Sequence, residues 1–312
     1  NNASSGLSWA NAKASIHSAA AAASHGDEIW VAEGTYTSTT VELTKRVAIY
    51  GGFQGNETAR DQRDWRRRET VLKNAAFNFF RIAPGTTIET LLDGLVLSGH
   101  VNTYPEQKGV IYLGGYASER TGLTIRNCLF RENTCAIRVG SLTDLVVENC
   151  RFIDCSQALL YSGSNSNSVV TVRNSLFAFC SGVRLFDAKF FVWNVGSLSL
   201  VNNTMVGNMM TGSLIELGDS NNLLIANNIL AFNDADHGIY QHPVDTGPRV
   251  LRNNCLYQTS RSTPYGGALA DQTGTNGNIA VDPKLVYRAD TYEGSNLRLT
   301  AASPCRNTGS NT

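Results

Sequence analysis

The chain has 312 residues, of which 42% are hydrophobic and only 17% are charged, and its 26 basic and 26 acidic residues give a formal net charge of zero. A neutral chain has no overall attraction to nucleic acid or to an anionic membrane, so we expect no nucleic-acid partner. No apolar run reaches the roughly 18 residues of a membrane span, and a signal peptide is expected to be absent or already removed.

The N-terminal stretch, residues 1–26, is predicted to be a helical cap. Its segment SWANAKASIHSAAAAASHG is rich in alanine, with Ser8 as the predicted helix N-cap, helical composition to about Ser24 and Gly26 as the stop. Exposed strand edges invite association with other chains, so we expect this helix to cover the first turn of the fold that follows.

Residues 27–260 repeat one short alternating pattern, most plainly in LTIRNCLF and LVVENCRF. Alternation with period two indicates strands, and repeats of 22 to 28 residues (149 − 127 = 22; 202 − 174 = 28) are too short for a strand plus a full helix. A single rung cannot bury its apolar residues until others stack on it. The pattern therefore predicts an all-β protein, a single-stranded parallel β-helix.

A polar residue recurs at one place in each repeat, where the chain must bend between two strands. Asparagine tolerates the left-handed backbone that β-branched residues resist, and stacked asparagines can bond one another along the axis. We interpret these residues as a structural ladder. Its predicted members are Asp93, Asn127, Asn149, Asn174, Asn202, Asn227 and Asn253.

A second strand in each repeat is predicted to present one outward side chain per rung. We call this set the Arg/Tyr stripe; it consists of Arg81, Tyr112, Arg138, Tyr161, Arg184, Glu216 and Tyr240. Guanidinium groups bind carboxylates or sulfates through paired N–H donors, and tyrosine offers a flat apolar surface, so the stripe suits an acidic polysaccharide. The alternative is a solvated face stabilised by Arg–Tyr stacking.

Two long loops interrupt the regular rungs, and both are expected to border the stripe. The loop FDAKFFVWNVG contains Phe190 and Trp193, which could stack on sugars, meet another subunit or fold back over the sheet. The other is HVNTYPEQK, residues 100–108.

Another segment, NDADHGIYQHP, gathers Asp and His residues. Its spacing fits no known metal-ligand pattern and is typical of a polar turn, so no metal site is predicted.

The last segment, residues 261–312, breaks the period and is predicted to close the one continuous domain. Four of the seven cysteines occupy matching places in the repeats, Cys128 with Cys150 and Cys155 with Cys180, which indicates packed thiols while leaving disulfides between neighbours open. Cys255 and Cys305 could join the closing segment to the rungs.

Several segments together resemble bacterial right-handed parallel β-helix proteins of the pectate-lyase-like superfamily, particularly secreted proteins related to polymorphic outer-membrane protein repeats. These are GLSWANAKASIHSAA, GDEIWVAEGTY, VAIYGGFQGNETARDQRDW, the RN[CS]LF rungs and the terminal VDPKLV and LRLTAASPC. The resemblance implies a right-handed coil, a secreted or bacterial cell-surface location, and a chain that is a mature or excised portion of a longer surface protein.

The resemblance also raises the possibility of catalysis. Lyases of that superfamily use a basic residue to abstract a sugar proton, often with Ca²⁺ held by carboxylates, and Arg138 or Arg184 has a suitable position. No Asp/Glu cluster lies beside them in the pattern, so no cofactor is expected outside that alternative. A glycosidase would need two carboxylates, and Glu216 with Asp187 or Asp219 is the pairing that the stripe offers.

We therefore expect a non-enzymatic adhesive or structural module that binds polysaccharide along the Arg/Tyr stripe and associates with like chains into oligomers or filaments. The alternative is a carbohydrate-active enzyme on the same face, a polysaccharide lyase before a glycoside hydrolase.

Overall fold

The chain winds into a coil of three parallel β-sheets. The computed structural model describes residues 1–74, 78–100, 109–114, 119–161, 167–188, 195–218, 220–243, 248–286, 297–306 and 309. Within them each of the three main sheets, which we call A, B and C, has nine strands. Successive strands pass from A to B to C and then begin the next rung, and all pairings within the three sheets are parallel. The predicted fold class, an all-β parallel β-helix, is confirmed.

The strands of each sheet follow one another at the repeat interval. Sheet A contains Glu28–Ala32, Ala48–Phe53, Leu91–Asp93, Thr121–Arg126, Thr143–Glu148, Val169–Arg173, Val195–Val201, Ser220–Ala226 and Arg249–Arg252. Sheet B contains Gly34–Ser38, Thr70–Asn74, Leu95–Ser98, Leu129–Arg131, Arg151–Ile153, Leu176–Ala178, Thr204–Val206, Ile229–Ala231 and Cys255–Tyr257. Sheet C contains Val41–Leu43, Phe80–Ile82, Ile111–Leu113, Ile137–Val139, Leu159–Tyr161, Phe186–Ala188, Ile215–Leu217, His237–Gln241 and Thr263–Gly267. A short extra pair joins Ser181–Gly182 to Met209–Met210.

The core lies inside the coil because alternate residues of each strand point inward and meet like residues on the rungs above and below. In sheet B the rings of Phe130, Phe152 and Phe177 stack in register, with 4.6 Å between successive ring centroids. Each is at most 1% exposed, and full burial of such a side chain contributes about 1.5–3 kcal/mol. Repetition of the sequence therefore builds a continuous apolar column.

The bends between sheets A and B have the left-handed backbone that the pattern predicts. The residues Asn127, Asn149, Asn174, Asn202, Asn227 and Asn253 have φ values between 52° and 58°. Side-chain hydrogen bonds join some successive members of this set. Asn202 Nδ2 donates to Asn174 Oδ1 at 3.3 Å, and Asn127 Nδ2 donates to Asp93 Oδ1 at 2.9 Å. Their shared feature is thus the turn conformation.

Two further ladders of hydrogen-bonded residues lie at buried positions. The first buried ladder follows the bend residue directly and contains Cys128, Cys150, Ser175, Asn203, Asn228, Asn254 and Asn278. The second lies six residues after the bend and contains His100, Asn133, Cys155, Cys180, Asn208, Asn233 and Thr259. In both, an asparagine Oδ1 accepts the backbone N–H of the previous rung's member, as Asn228 Oδ1 does from Asn203 at 2.9 Å. These ladders satisfy backbone groups that the bends would otherwise leave unpaired inside the coil.

Asp93 belongs to neither ladder, and its predicted place in the bend is wrong by one residue. The register pairs Asp93 with Arg126, and the left-handed residue of that rung is Gly94, with φ 73°. The Asp93 carboxylate is fully buried and accepts from Arg63 Nη2 at 2.7 Å, from Arg126 Nε at 2.8 Å and from Asn127 Nδ2. It is the centre of an ionic cluster that fastens the loop containing Arg63 to sheet A.

The N-terminal helix is shorter than expected. It spans Ile16–Ala22, and its N-cap is Ser15, whose Oγ accepts from Ser18 N at 3.2 Å, so the prediction of Ser8 was wrong. Ser8 instead precedes a 3-10 turn, Trp9–Asn11. The Trp9 ring packs near the rings of Trp30 and Phe53, and its Nε1 donates to Glu57 O at 2.9 Å, which holds this turn beside sheet A. A second 3-10 turn spans Arg60–Gln62.

The helix Ile16–Ala22 buries Ile16 and Ala20 against the first strands of sheets A and C, which it covers. At the other end, the last strand of sheet C, Thr263–Gly267, lies beyond residue 260, where the closing segment was predicted to begin. Past it, Ile279 forms a parallel bridge with Cys255 and Leu285 an antiparallel bridge with Leu299. Leu285 and Leu297 pack on an apolar cluster outside sheet B, whose buried members are Val71, Val96, Leu129, Ile153, Ala178 and Val206.

Candidate functional site on the outer face of sheet C

The outward residues of sheet C form one row that runs along the coil. The strand register places these residues in line on successive rungs, about 4.8 Å apart, which is the spacing of paired strands. We call this set the middle row of sheet C; it contains Glu42, Arg81, Tyr112, Arg138, Leu160, Asp187, Glu216, Tyr240 and Gly266.

The row contains most of the predicted Arg/Tyr stripe, but two assignments were wrong. Leu160 and Asp187 stand where Tyr161 and Arg184 were predicted. The Tyr161 backbone pairs with Val139 in the neighbouring row, and Arg184 precedes the strand Phe186–Ala188. The core explains the shift, because Phe186 is 1% exposed and packs edge-on against Phe177, with 4.8 Å between the ring centroids.

Near the N-terminal end, the middle row presents two guanidinium groups with a phenol ring between them. Arg81, Tyr112 and Arg138 are paired in register on three successive rungs. The guanidinium carbon of Arg138 lies 5.5 Å from the centre of the Tyr112 ring, within the range of a cation–π contact. The Arg81 side chain is 59% exposed, and its Nε lies 4.0 Å from Glu42 Oε1. Arg81 is exposed whereas Tyr112 and Arg138 are half-buried, so this part of the row presents two guanidinium groups beside one carboxylate, that of Glu42.

Sequence reasoning missed a glycine that makes room for Arg138. Gly109 has φ 133°, and a Cβ placed on it would lie 2.9 Å from Arg138 Cβ. Its carbonyl accepts from Asn78 Nδ2 at 2.5 Å. A glycine beside a strand can mark a place where another part of the chain approaches the backbone closely. The alternation of apolar and polar residues does not reveal such a contact.

Farther along the row a buried carboxylate joins a basic side chain to an imidazole. The Glu216 side chain is 7% exposed; its Oε2 bonds Arg184 Nε and its Oε1 lies 3.1 Å from His242 Nε2. Arg184 precedes the strand Phe186–Ala188 and is not part of the middle row, but its side chain contacts the row at Glu216. The Tyr240 ring packs edge-on against His242, with 5.6 Å between the ring centroids. Glu216 was expected to face solvent, and its burial sets it apart from Arg81, whose side chain is 59% exposed.

The glycosidase pairing can be placed only in part. The strand register sets Asp187 directly beside Glu216 on neighbouring rungs. The structure describes the backbone of Asp187 but not its side chain, and Asp219, Phe190 and Trp193 lie outside the described residues. The excursion predicted before Tyr112, residues 101–108, lies outside them as well.

The acidic segment near the end of the coil forms ion pairs between rungs. Arg261 Nη1 lies 2.6 Å from Asp234 Oδ1, and Arg261 Nη2 lies 2.9 Å from Asp236 Oδ1. The neighbouring His237 bonds Thr263 through Nδ1. In the part of the chain that the structure describes, no group of three or more His, Cys, Asp or Glu side chains is arranged to hold a metal ion. Within the same residues, no helix has the length and apolarity to cross a membrane.

Comparison with known families identifies the coil. The family model described as the right-handed beta helix region matches residues 108–282, which is more than half of the chain. The chain belongs to the right-handed β-helix family. The matched residues include the middle row of this β-helix from Tyr112 to Gly266 and most rungs of both buried ladders. A comparison with curated proteins found no match.

Proposed function

We propose that this β-helix is a secreted or cell-surface module that binds an acidic polysaccharide along the outer face of sheet C. The observation that supports this is the in-register series Arg81, Tyr112 and Arg138. Each guanidinium can donate two parallel hydrogen bonds to a carboxylate or sulfate, and the phenol ring offers a face for a sugar ring. An extended anionic chain laid along the coil would meet one of these side chains at each rung.

The segments that resemble pectate-lyase-like proteins and outer-membrane protein repeats support a location outside the cell. The low charge of the chain agrees with a role in which solubility depends on a polar, uncharged surface. The neutral overall charge also means that attraction to a polyanion would come from the local series on sheet C and would weaken as salt screens it.

The direct test is binding to purified polysaccharides. We expect retention of the chain in gels that contain polygalacturonate or alginate, and none in gels that contain neutral dextran. The double variant Arg81→Ala/Arg138→Ala is expected to bind at least about 10-fold more weakly, because two charge-assisted contacts are removed. The control Arg67→Ala/Arg306→Ala removes the same two positive charges elsewhere, one between the strands Ala48–Phe53 and Thr70–Asn74 and one in the closing segment. This control variant is expected to bind as the parent does. Equal retention of the Arg81/Arg138 variant and the parent would reject the proposal.

A second candidate, a polysaccharide lyase, is favoured by one observation, the bond between Glu216 and His242. A buried carboxylate that holds an imidazole is a common arrangement for a general base. In an elimination, His242 would take the proton next to the uronate carboxylate, the bond to the leaving sugar oxygen would break, and Tyr240 could supply the proton to that oxygen. Arg184, which the sequence suggested as a base, is paired with Glu216 and is better suited to hold the cluster together.

Catalysis and simple binding give different results in one assay. Incubation with uronate polysaccharides would produce ultraviolet-absorbing unsaturated ends in the lyase case, and new reducing ends without that absorbance in the hydrolase case. His242→Ala and Glu216→Gln are expected to abolish a lyase activity while leaving binding through Arg81 and Arg138 intact. If no product forms from any polysaccharide tested, the enzyme candidate is rejected and the binding proposal is unaffected.

Self-association is a further part of the proposal, because strand-rich coils can associate through strand edges and apolar corners. Val183 and Met209 are 55% and 62% exposed, and both lie at or beside the short sheet pair Ser181–Gly182 and Met209–Met210. Sedimentation velocity over a range of concentrations, with Met209→Lys as the comparison, tests it. A monomer at every concentration would exclude it.

A further inference from the structure

The structure brings Cys255, in the last strand of sheet B, close to Cys305, in the closing segment. Cys255 is 2% exposed, and its backbone forms a bridge with Ile279. Its Sγ donates to Val281 O at 3.1 Å, so the first part of the closing segment lies directly against this thiol.

The far part of the closing segment returns to the same place. Ser303 Oγ donates to Pro283 O at 2.6 Å, two residues beyond the Val281 carbonyl that Cys255 contacts. The Cys305 N–H donates back to Ser303 Oγ at 3.1 Å, a bond that closes the turn between these two residues. The thiols of Cys255 and Cys305 lie close enough to influence each other's ionisation, and both are free thiols in the structure.

We propose that Cys255 and Cys305 form a disulfide that joins the last strand of sheet B to the closing segment. Access separates this pair from the other cysteines. Cys305 is partly exposed, whereas the remaining five are buried inside the coil; they are Cys128, Cys135, Cys150, Cys155 and Cys180. A dissolved oxidant would therefore meet Cys305 first.

The environment of the two thiols assigns them different roles. The adjoining Cys255 thiol, with help from Ser303, lowers the pKa of Cys305 against the opposing effect of burial. The contact with Cys305, together with burial, raises the pKa of Cys255. Because the thiolate is the reacting form, Cys305 is the attacking group.

With oxidised glutathione as the oxidant, the reaction has two balanced steps. The Cys305 thiolate attacks one glutathione sulfur, the glutathione S–S bond breaks, and one glutathione thiolate leaves, which gives a mixed disulfide at Cys305. Cys255 then loses its proton to solvent and attacks Cys305 Sγ, which expels the second glutathione thiolate. Two protein thiols are oxidised and one glutathione disulfide is reduced to two thiols.

The test is to incubate the folded chain with oxidised glutathione, block the remaining thiols under denaturing conditions, and map the peptides by mass. We expect a mass lower by two hydrogen atoms before blocking, two fewer free thiols than the seven of the reduced chain, and a peptide linking Cys255 to Cys305. A full count of seven thiols, a stable glutathione adduct at Cys305, or a link between cysteines of the buried ladders would each overturn the proposal.

Two variants keep the result interpretable. Cys305→Ser changes a partly exposed residue and is expected to keep all its remaining thiols after the same treatment. Cys135→Ser is the matched control, because it also removes one cysteine but is expected to lose two thiols like the parent. In the parent, oxidation should raise the urea midpoint of unfolding and slow proteolysis of the closing segment, and neither change should appear in Cys305→Ser.

Discussion

Asn228 donates its side-chain N–H to Asn254 Oδ1, one rung farther along the coil, at 3.0 Å, and neither side chain is exposed to solvent. The Asn228 amide also donates to Leu200 O at 2.8 Å, and its Oδ1 accepts from the backbone and side chain of Asn203. One side chain therefore completes the hydrogen bonding of three rungs. Such a network is strong when every member is paired and costly when one is missing.

From this we expect Asn228→Ala to lower the free energy of unfolding by about 3 kcal/mol, since it leaves buried donors and acceptors on both neighbouring rungs unpaired. Urea titration followed by circular dichroism measures the change. Asn222→Ala, which changes an exposed residue of the preceding strand, Ser220–Ala226, is the control and should stay within about 0.5 kcal/mol of the parent. Similar losses in the two variants would show that the buried ladder is not a source of stability.

At the bend residues we expect stability to depend on the left-handed backbone conformation more than on the side chain. Asn149 is exposed and has φ 53°, a conformation that costs a β-branched residue about 1–2 kcal/mol. We expect Asn149→Val to destabilise the coil by about that amount, whereas Asn149→Gly should have little effect, because Gly94 occupies the same place in an earlier rung with φ 73°. Thermal unfolding of the two variants tests this. If glycine proved as harmful as valine, the side chain rather than the turn would be decisive.

The buried residue Asn228 and the bend residue Asn149 show which features of the fold could be predicted from the sequence. The repeat predicted the parallel coil and its left-handed bends, because one asparagine recurs in the same context at Asn127, Asn149 and Asn174. The buried ladders were not predicted because several residue types fill their places, as Cys128, Ser175 and Asn203 do in the first buried ladder. The signal was present, however: Cys155 and Cys180 stand six residues after their bends, as Asn208 and Asn233 do.

The candidate site was predicted less well for a related reason. Period-two alternation fixes which residues face inward only when the strand ends are known, and LLYS has apolar residues at successive places. A shift of one residue exchanges the two faces of a strand, which is how Tyr161 was assigned to the place of Leu160. The Glu216–His242 contact joins different rungs across a distance in sequence that no local pattern records.

The ionic cluster at Asp93 should be far more important than the ion pairs on the surface. Arg63, whose side chain is 10% exposed, would lose its buried partner in Asp93→Ala, and we expect a loss of about 3–5 kcal/mol. The control Glu148→Ala removes the half-exposed pair with Arg173, at 3.1 Å, and should cost below about 1 kcal/mol. Chemical unfolding of both variants gives the comparison. Equal effects would mean that the Asp93 cluster adds nothing beyond a surface pair.

Glu57 should make the N-terminal region sensitive to acid. Partial burial acts to raise the pKa of Glu57, but bonds from the backbone N–H groups of Gln54, Gly55 and Asn56 outweigh it and lower the pKa. A carboxylate with a depressed pKa in the folded state contributes stability above its unfolded pKa of about 4.3, and this contribution is lost as the pH falls through the folded value.

Replacing Glu57 by glutamine removes one acceptor, so we expect a loss below about 1 kcal/mol at neutral pH that shrinks as the pH falls. Because Trp9 Nε1 donates to Glu57 O, tryptophan fluorescence during urea unfolding at several pH values is a suitable measurement. Glu69→Gln is the control for the change in charge, because it replaces an exposed carboxylate just before the strand Thr70–Asn74. A difference between Glu57→Gln and the parent that did not depend on pH would contradict this assignment.

Cys180 occupies a place where the rest of the second buried ladder favours asparagine. Its thiol reaches Phe152 O at 3.6 Å, just as Asn208 Nδ2 reaches Phe177 O at 3.1 Å one rung later. In Cys180→Asn the new Nδ2 could donate to Phe152 O and to Asn208 Oδ1, while the new Oδ1 would face the backbone of Cys155. The ladder would thereby be extended by one rung.

We therefore expect Cys180→Asn to change the free energy of unfolding by less than about 1 kcal/mol, although it places an amide in a fully buried position. Cys180→Leu, with an apolar side chain of larger volume, should cost about 2 kcal/mol, because it overpacks the coil and cannot bond the carbonyl of Phe152. Urea unfolding of the two variants separates polarity from fit. A larger loss for asparagine than for leucine would show that apolar packing, rather than hydrogen bonding between rungs, determines which residues this position accepts.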